Sequence, residues 1–274
     1  MSAEDERFVA ECADGNVEEV QVMLGRTGGR AINPNAFEEM AFVQACAEGC
    51  LEVVKILLAL VGPRYVDVHA QDGAGFNAAC ESGDSILVGL LLDLAGDRLI
   101  NFNGAAFVGA CSMDAEGAVA LLLSVQGNRK INPNADNNAA FIAACENDAE
   151  AALDLLLDLT DERAIDVVSL TRGFIAACTQ GSLYAFSTLL QVGGDRRVDV
   201  HANNDAAFVA ACLFKQQPIV LEMLSFTGDR VIPPGVRGEH PECTGETLDG
   251  AHSDDELDSD LEIFWEDVAA SFFA

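Results

Sequence analysis

Apolar runs of helical spacing alternate with polar links along this chain, and they do so on a fixed period. One kind of run sets a Phe four residues before a Cys, as in Ala41-Phe42-Val43-Gln44-Ala45-Cys46 and Ala140-Phe141-Ile142-Ala143-Ala144-Cys145. Residues four apart share one face of a helix. A second run is more uniformly apolar: Val53-Val54-Lys55-Ile56-Leu57-Leu58 and Ala152-Leu153-Asp154-Leu155-Leu156-Leu157. A helix apolar on most sides must be buried on most sides. Between the two runs, Gly15, Gly49, Gly83 and Gly181 stand three residues after a Cys, where a helix would end. Asp114, Asp148 and Lys215 take that place elsewhere. The pattern predicts two short helices per unit.

Seven cysteines mark the units: Cys12, Cys46, Cys80, Cys111, Cys145, Cys178 and Cys212, at intervals of 34, 34, 31, 34, 33 and 34 residues. A Phe precedes each by four residues, a Leu follows each by twelve and an Arg by eighteen. Four columns filled in all seven units mean a repeat array, in which each helix pair buries its apolar faces against its neighbours. The polar links carry Arg-x-Ile/Val and then Asn- and Pro-containing turns such as Asn132-Pro133-Asn134-Ala135-Asp136-Asn137-Asn138. The 31-residue interval comes from a shortening between Arg98 and Phe107.

These residues resemble the ankyrin repeat family over about residues 4 to 232. The likeness rests on the Ala-Ala or Ala-Cys pair, the Gly three residues on, and the second helix, with Gly49-Cys50-Leu51-Glu52-Val53-Val54-Lys55-Ile56-Leu57-Leu58 the nearest stretch. The usual Thr-Pro-Leu-His start is replaced by Met40-Ala41-Phe42-Val43 or Ala139-Ala140-Phe141-Ile142, and the link before the Phe is shorter than usual. That leaves the family's β-hairpin finger an open question. The resemblance implies an all-α, ankyrin-like solenoid of about seven helix-turn-helix repeats and a general activity of protein binding.

Composition narrows the partners. The 274 residues carry 15 Lys and Arg against 45 Asp and Glu, a net charge of -30, while half are apolar. A folded chain of this sign is a poor match for nucleic acid or an anionic membrane surface. No apolar run is long enough to cross a bilayer, and the acidic start Met1-Ser2-Ala3-Glu4-Asp5-Glu6-Arg7 does not read as a secretory signal. The expectation is an intracellular protein, cytoplasmic or nuclear, monomeric on its own, whose protein partner is basic.

Three sets of residues invite chemistry. The cysteine column would need converging sulfurs to bind metal or form disulfides. Stacked helices lie about 8–10 Å apart, beyond the reach of about 7 Å for a disulfide, so the column reads as small buried apolar groups. The arginine column reads as structural, tying links to carboxylates or to helix-end carbonyls. His69 and His201 occupy the same place in two copies of Val-Asp-Val-His-Ala, which is repeat consensus rather than a catalytic pair. No nucleophile elbow, phosphate loop or His-Glu-x-x-His is present. No catalytic residue, metal ligand or cofactor is expected, and the chain does not read as an enzyme.

The array, residues 1–234, is followed by a linker (235–253) and an acidic amphipathic segment (254–274). From Glu239 onward there are twelve acids and no Lys or Arg. Leu257, Leu261, Phe264, Val268 and Phe272 fall on one helical face. That face either caps the last repeat or is a linear motif, since Trp265-Glu266-Asp267-Val268 looks like the aromatic-x-x-aliphatic motif of autophagy adaptors. The main reading is a non-catalytic scaffold that holds a protein partner on its concave face and inter-repeat links. The candidate contacts are Asn35, Phe37, Gln71, Asp72, Asn103, Asp136, Asn137, Asn203 and Asn204. The alternative is an adaptor whose tail, through Phe264, Trp265 and Val268, recruits degradation, autophagy or transcription machinery to a client held by the repeats.

Overall fold

A computed structural model describes residues 3–102 and 104–239. The described residues are helical and contain no strand. Seven helix pairs run in order: α1 (Ala3–Ala13) with α2 (Val17–Leu24), α3 (Ala36–Ala47) with α4 (Leu51–Leu58), α5 (Ala70–Ser82) with α6 (Ser85–Leu92), α7 (Gly104–Ser112) with α8 (Glu116–Ser124), α9 (Ala135–Glu146) with α10 (Glu150–Leu157), α11 (Val167–Gln180) with α12 (Leu183–Gln191), and α13 (Ala202–Leu213) with α14 (Gln217–Leu224). A short α15 (Pro234–Glu239) occupies the first residues of the segment read as a linker. The remainder of that linker and the acidic segment, with Phe264, Trp265 and Val268, lie outside the described residues, as does Asn103. No described helix is long and apolar enough to cross a membrane.

The chain divides into two compact units, residues 1–143 with 151–164, and residues 144–150 with 165–274. In the first, α1, α3, α5 and α7 pack side by side as first helices, while α2 packs on α4 and α6 on α8. In the second, α11 packs on α12 and α13, and α13 on α14. The columns explain this stacking. All seven Phe and all seven Cys of the repeat are at most 4% exposed. The second helices bury Val53, Val54 and Leu57, or Leu87, Val88 and Leu91, or Ala185, Phe186 and Leu189. Each buried Leu or Phe contributes about 1.5–3 kcal/mol by leaving water.

The turn inside each pair adopts the left-handed conformation. Gly15, Gly49, Gly83 and Gly181 have φ of 69°, 66°, 75° and 83°, and Asp114, Asp148 and Lys215 accept the same geometry at 53°, 54° and 58°. The two aspartates gain something Gly cannot give. Within the first unit, Asp114 Oδ1 accepts from Ala152 N at 2.9 Å, and within the second, Asp148 Oδ1 accepts from Ala185 N at 3.0 Å. Each satisfies an amide in the first turn of the following repeat's second helix, which would otherwise lack an intrahelical acceptor.

The arginine column makes one recurrent contact. All seven arginines close a 3-10 turn, such as Gly96–Arg98 or Gly228–Arg230. From that turn Arg98 Nη1 donates to Leu58 O, Arg129 Nη1 to Leu92 O at 3.2 Å, Arg163 Nη1 to Leu123 O at 3.2 Å, and Arg230 Nη2 to Leu190 O at 3.1 Å. Each acceptor is the Leu of the preceding repeat's twelfth-residue column. The arginine therefore fills the carbonyl end of the previous repeat's second helix, where cationic donors are favoured.

Candidate protein-binding tips

Among the described residues, the links that lead into the first helices contain the least ordinary backbone. Phe37, Glu38 and Glu39 are consecutively left-handed, as are Gln71, Asp72 and Gly73, then Asp136, Asn137 and Asn138, then Asn203, Asn204 and Asp205. L-residues adopt this conformation at a cost of about 1–2 kcal/mol each, with Asn and Asp most tolerant, and ordinarily one at a time. Link length accounts for where these triplets occur. They occupy every link with twelve residues from Arg to Phe; the link from Arg98 to Phe107 spans nine, and that from Arg163 to Phe174 spans eleven. The shortest link is thus three residues below the full length, the size of one triplet. The eleven-residue link instead continues a regular α11, whose start is capped by Asp166 Oδ1 accepting from Ser169 N at 2.9 Å.

What holds each tip is a pair of bonds at its base. An Asx turn comes first: Asn33 Oδ1 accepts from Asn35 N, Asp67 Oδ1 from His69 N, Asn132 Oδ1 from Asn134 N and Asp199 Oδ1 from His201 N, all at 2.9–3.2 Å. The next side chain then reaches the following repeat's arginine turn. Asn35 Nδ2 donates to Tyr65 O at 2.8 Å, His69 Nε2 to Asp97 O at 3.0 Å, Asn134 Nδ2 to Glu162 O at 3.3 Å, and His201 Nε2 to Asp229 O at 2.9 Å. Asn35, expected as a partner contact, therefore engages the neighbouring link through its amide. The two histidines are the same bolt made from imidazole.

In three of the four triplets the third residue carries a side chain that turns inward, while the outer positions are mostly exposed. Gln71, Asp72, Asp136, Asn137, Asn203 and Asn204 are exposed, and Phe37 is half-buried. Glu39, Asn138 and Asp205 are buried. Sequence reasoning passed over these three inward residues. Glu39 Oε1 accepts from Asp67 N at 3.2 Å, and burial pushes its carboxyl above the ordinary range. Gln71 Nε2 donates to Glu38 O at 2.7 Å, joining two successive tips.

Asp205 Oδ1 lies 2.6 Å from His201 Nδ1. That carboxylate, with smaller help from the Asp229 carbonyl and Asp199, holds the imidazolium above its ordinary range against partial burial. A histidine whose folded-state value is raised lends its stabilisation in full below its unfolded value of about 6.5, and the contribution disappears as pH rises through the folded value. Asp205→Asn is expected to bring the His201 titration down, read from the imidazole proton shifts by NMR. An unchanged titration would contradict the pairing.

The cysteines offer no comparable chemistry. Burial raises Cys12, Cys80 and Cys111 to about 12, and Cys46, Cys145 and Cys178 rise as well for the same cause. These six are free thiols, and a thiol held protonated is a poor nucleophile and ligand. Cys212 departs from the expectation: it is equally buried but disulfide-bonded. Among the described residues no group of three or more His, Cys, Asp and Glu is placed to hold a metal ion. The chain matches no family model, no curated protein and no solved structure.

Proposed function

We propose that this chain is a non-catalytic, ankyrin-like scaffold that holds a protein partner on its tips and inter-repeat links. One observation supports the reading above others. The base of every triplet is built from the same bonds, while the outer residues differ: half-buried Phe37 with exposed Glu38, and the exposed pairs Gln71-Asp72, Asp136-Asn137 and Asn203-Asn204. A fixed frame carrying varied, exposed side chains in a strained conformation is the layout expected of a recognition surface. The excess of acids favours a basic partner, through steered encounter more than through affinity.

The test replaces Gln71, Asp72, Asp136, Asn137, Asn203 and Asn204 by Gly, which keeps the left-handed backbone while removing the side chains. Affinity capture with the full chain and with this variant is compared at low and high salt. The expected result is a folded variant, judged by circular dichroism, that loses salt-sensitive partners retained by the unmodified chain. An identical partner list from both proteins would overturn the reading.

A further inference from the structure

The link into the fourth repeat is three residues shorter than those that carry a tip. Beside it lies an open cavity of about 390 Å³ between the link of the third repeat and that of the fourth. Its apolar lining includes Val68, Phe76, Ile100 and Phe102, and its polar lining includes His69 and Asp72. Phe102 is half-buried, and its ring stacks on Phe76 with centroids 5.5 Å apart and planes at 29°. Asp72 is exposed on one flank. Asp136, the exposed first tip residue of the fifth repeat, leans back over the start of α7, two residues along the chain from Phe102. Its Oδ2 lies 3.0 Å from where a Cβ at Gly104 would stand. Neither aspartate forms an ion pair among the described residues.

We infer that this notch takes an arginine side chain from an extended segment of a basic protein, an inference that rests on the scaffold reading and names what one site in it recognises. An aromatic wall with one unpaired carboxylate on the cavity and a second at the start of α7 selects a cation with an apolar stem. The planar guanidinium meets each demand: it stacks on a ring face, packs its methylenes on Val68 and Ile100, and offers a donor fork to carboxylates. The molecule already uses such a contact. The Arg98 guanidinium sits 4.1 Å from the centroid of Tyr65. A lysine ammonium, a compact and strongly hydrated charge, would gain less from the ring. The net charge of -30 draws either cation equally, so preference for arginine over lysine is the signature of the notch rather than of the field.

The probe is a fluorescein-labelled peptide of three Gly-Ser-Arg triplets, compared with its lysine and citrulline counterparts by fluorescence anisotropy on the full chain at about 0.15 M salt. The arginine peptide is expected to bind about fivefold more tightly than the lysine peptide, and the citrulline peptide not measurably. Phe102→Leu should erase the preference for arginine. Joint Asp72→Asn and Asp136→Asn should weaken binding about tenfold, whereas Glu18→Gln with Glu116→Gln, an equal change of charge on exposed second-helix positions, should change it less than about twofold. Inserting Ala-Asn-Asn after Asn101, which restores the full link length, should abolish binding. Equal affinity for arginine and lysine peptides, or equal losses in the two charge variants, overturns the inference. If the arginine peptide instead loses binding only when Asn203 and Asn204 become Gly, the notch fails while the tip surface stands. Failure of every variant to alter binding removes both.

Discussion

Truncating Phe42 to Ala lowers the unfolding free energy by about 3–5 kcal/mol, the range for a buried aromatic that leaves a cavity. The ring is 1% exposed and sits directly against the next first helix at Gly75. A Cβ added at Gly75 would come within 2.4 Å of Phe42 Cε1. Gly75→Ala by itself therefore overpacks the joint and costs about 1–3 kcal/mol. The two changes are coupled. Once the ring is gone, the added methyl finds space, and Ala exceeds Gly in helix propensity by about 1 kcal/mol. Gly75→Ala is thus expected to destabilise the unmodified chain and to stabilise the Phe42→Ala variant. The coupling falls within about 0.5–3 kcal/mol, the range for residues in contact. Urea unfolding followed by circular dichroism gives the four free energies, provided the transitions have equal slopes. Strict additivity would show that the two first helices do not meet at this point.

Replacing Arg129 by Met removes about 1.5–3 kcal/mol, the scale of a hydrogen bond from a charged donor. Met retains most of the apolar stem, so the loss reports the guanidinium. Arg129 Nη1 reaches Leu92 O at 3.2 Å and Ile100 O at 3.4 Å, joining the end of α6 to the link that follows it. Arg129→Lys should recover only part of the loss, because one ammonium cannot copy the planar fork. The same urea series measures it, and a Met variant as stable as the parent would mean the carbonyls are equally well served by water.

The repeat could be read from the chain almost completely, because its four columns are packing constraints. Phe and Cys recur where side chains enter the core, and Leu recurs where the second helix faces its neighbour. Arginine was legible as structural, but carboxylates and helix-end carbonyls both remained available as its partners. The spacing between columns holds the answer only once the repeats are placed side by side, since the bond runs from one unit to the previous one. The tips were half legible. Asn and Asp in Asp136-Asn137-Asn138 and Asn203-Asn204-Asp205 signal a turn, yet Phe37 and Glu38 carry no such signal and adopt the same backbone. Link length was the informative quantity there: a tip forms when twelve residues must be accommodated, whatever their identity. The inward role of Glu39 and Asp205 was hidden for the same reason, since a left-handed turn does not follow the helical period used to assign faces.

The backward reach of the arginines also sets an order of events during synthesis. Arg98, which serves the carbonyl end of α4, lies 40 residues downstream of Leu58. At ribosomal rates of about 5–20 residues per second, the nascent helix waits about 2–8 seconds for its clasp to emerge. A hairpin clasped in this way leaves the exit tunnel incomplete and is finished by its successor, so a pause placed one repeat late would hold the newest helix end bare at the moment chaperones first meet it.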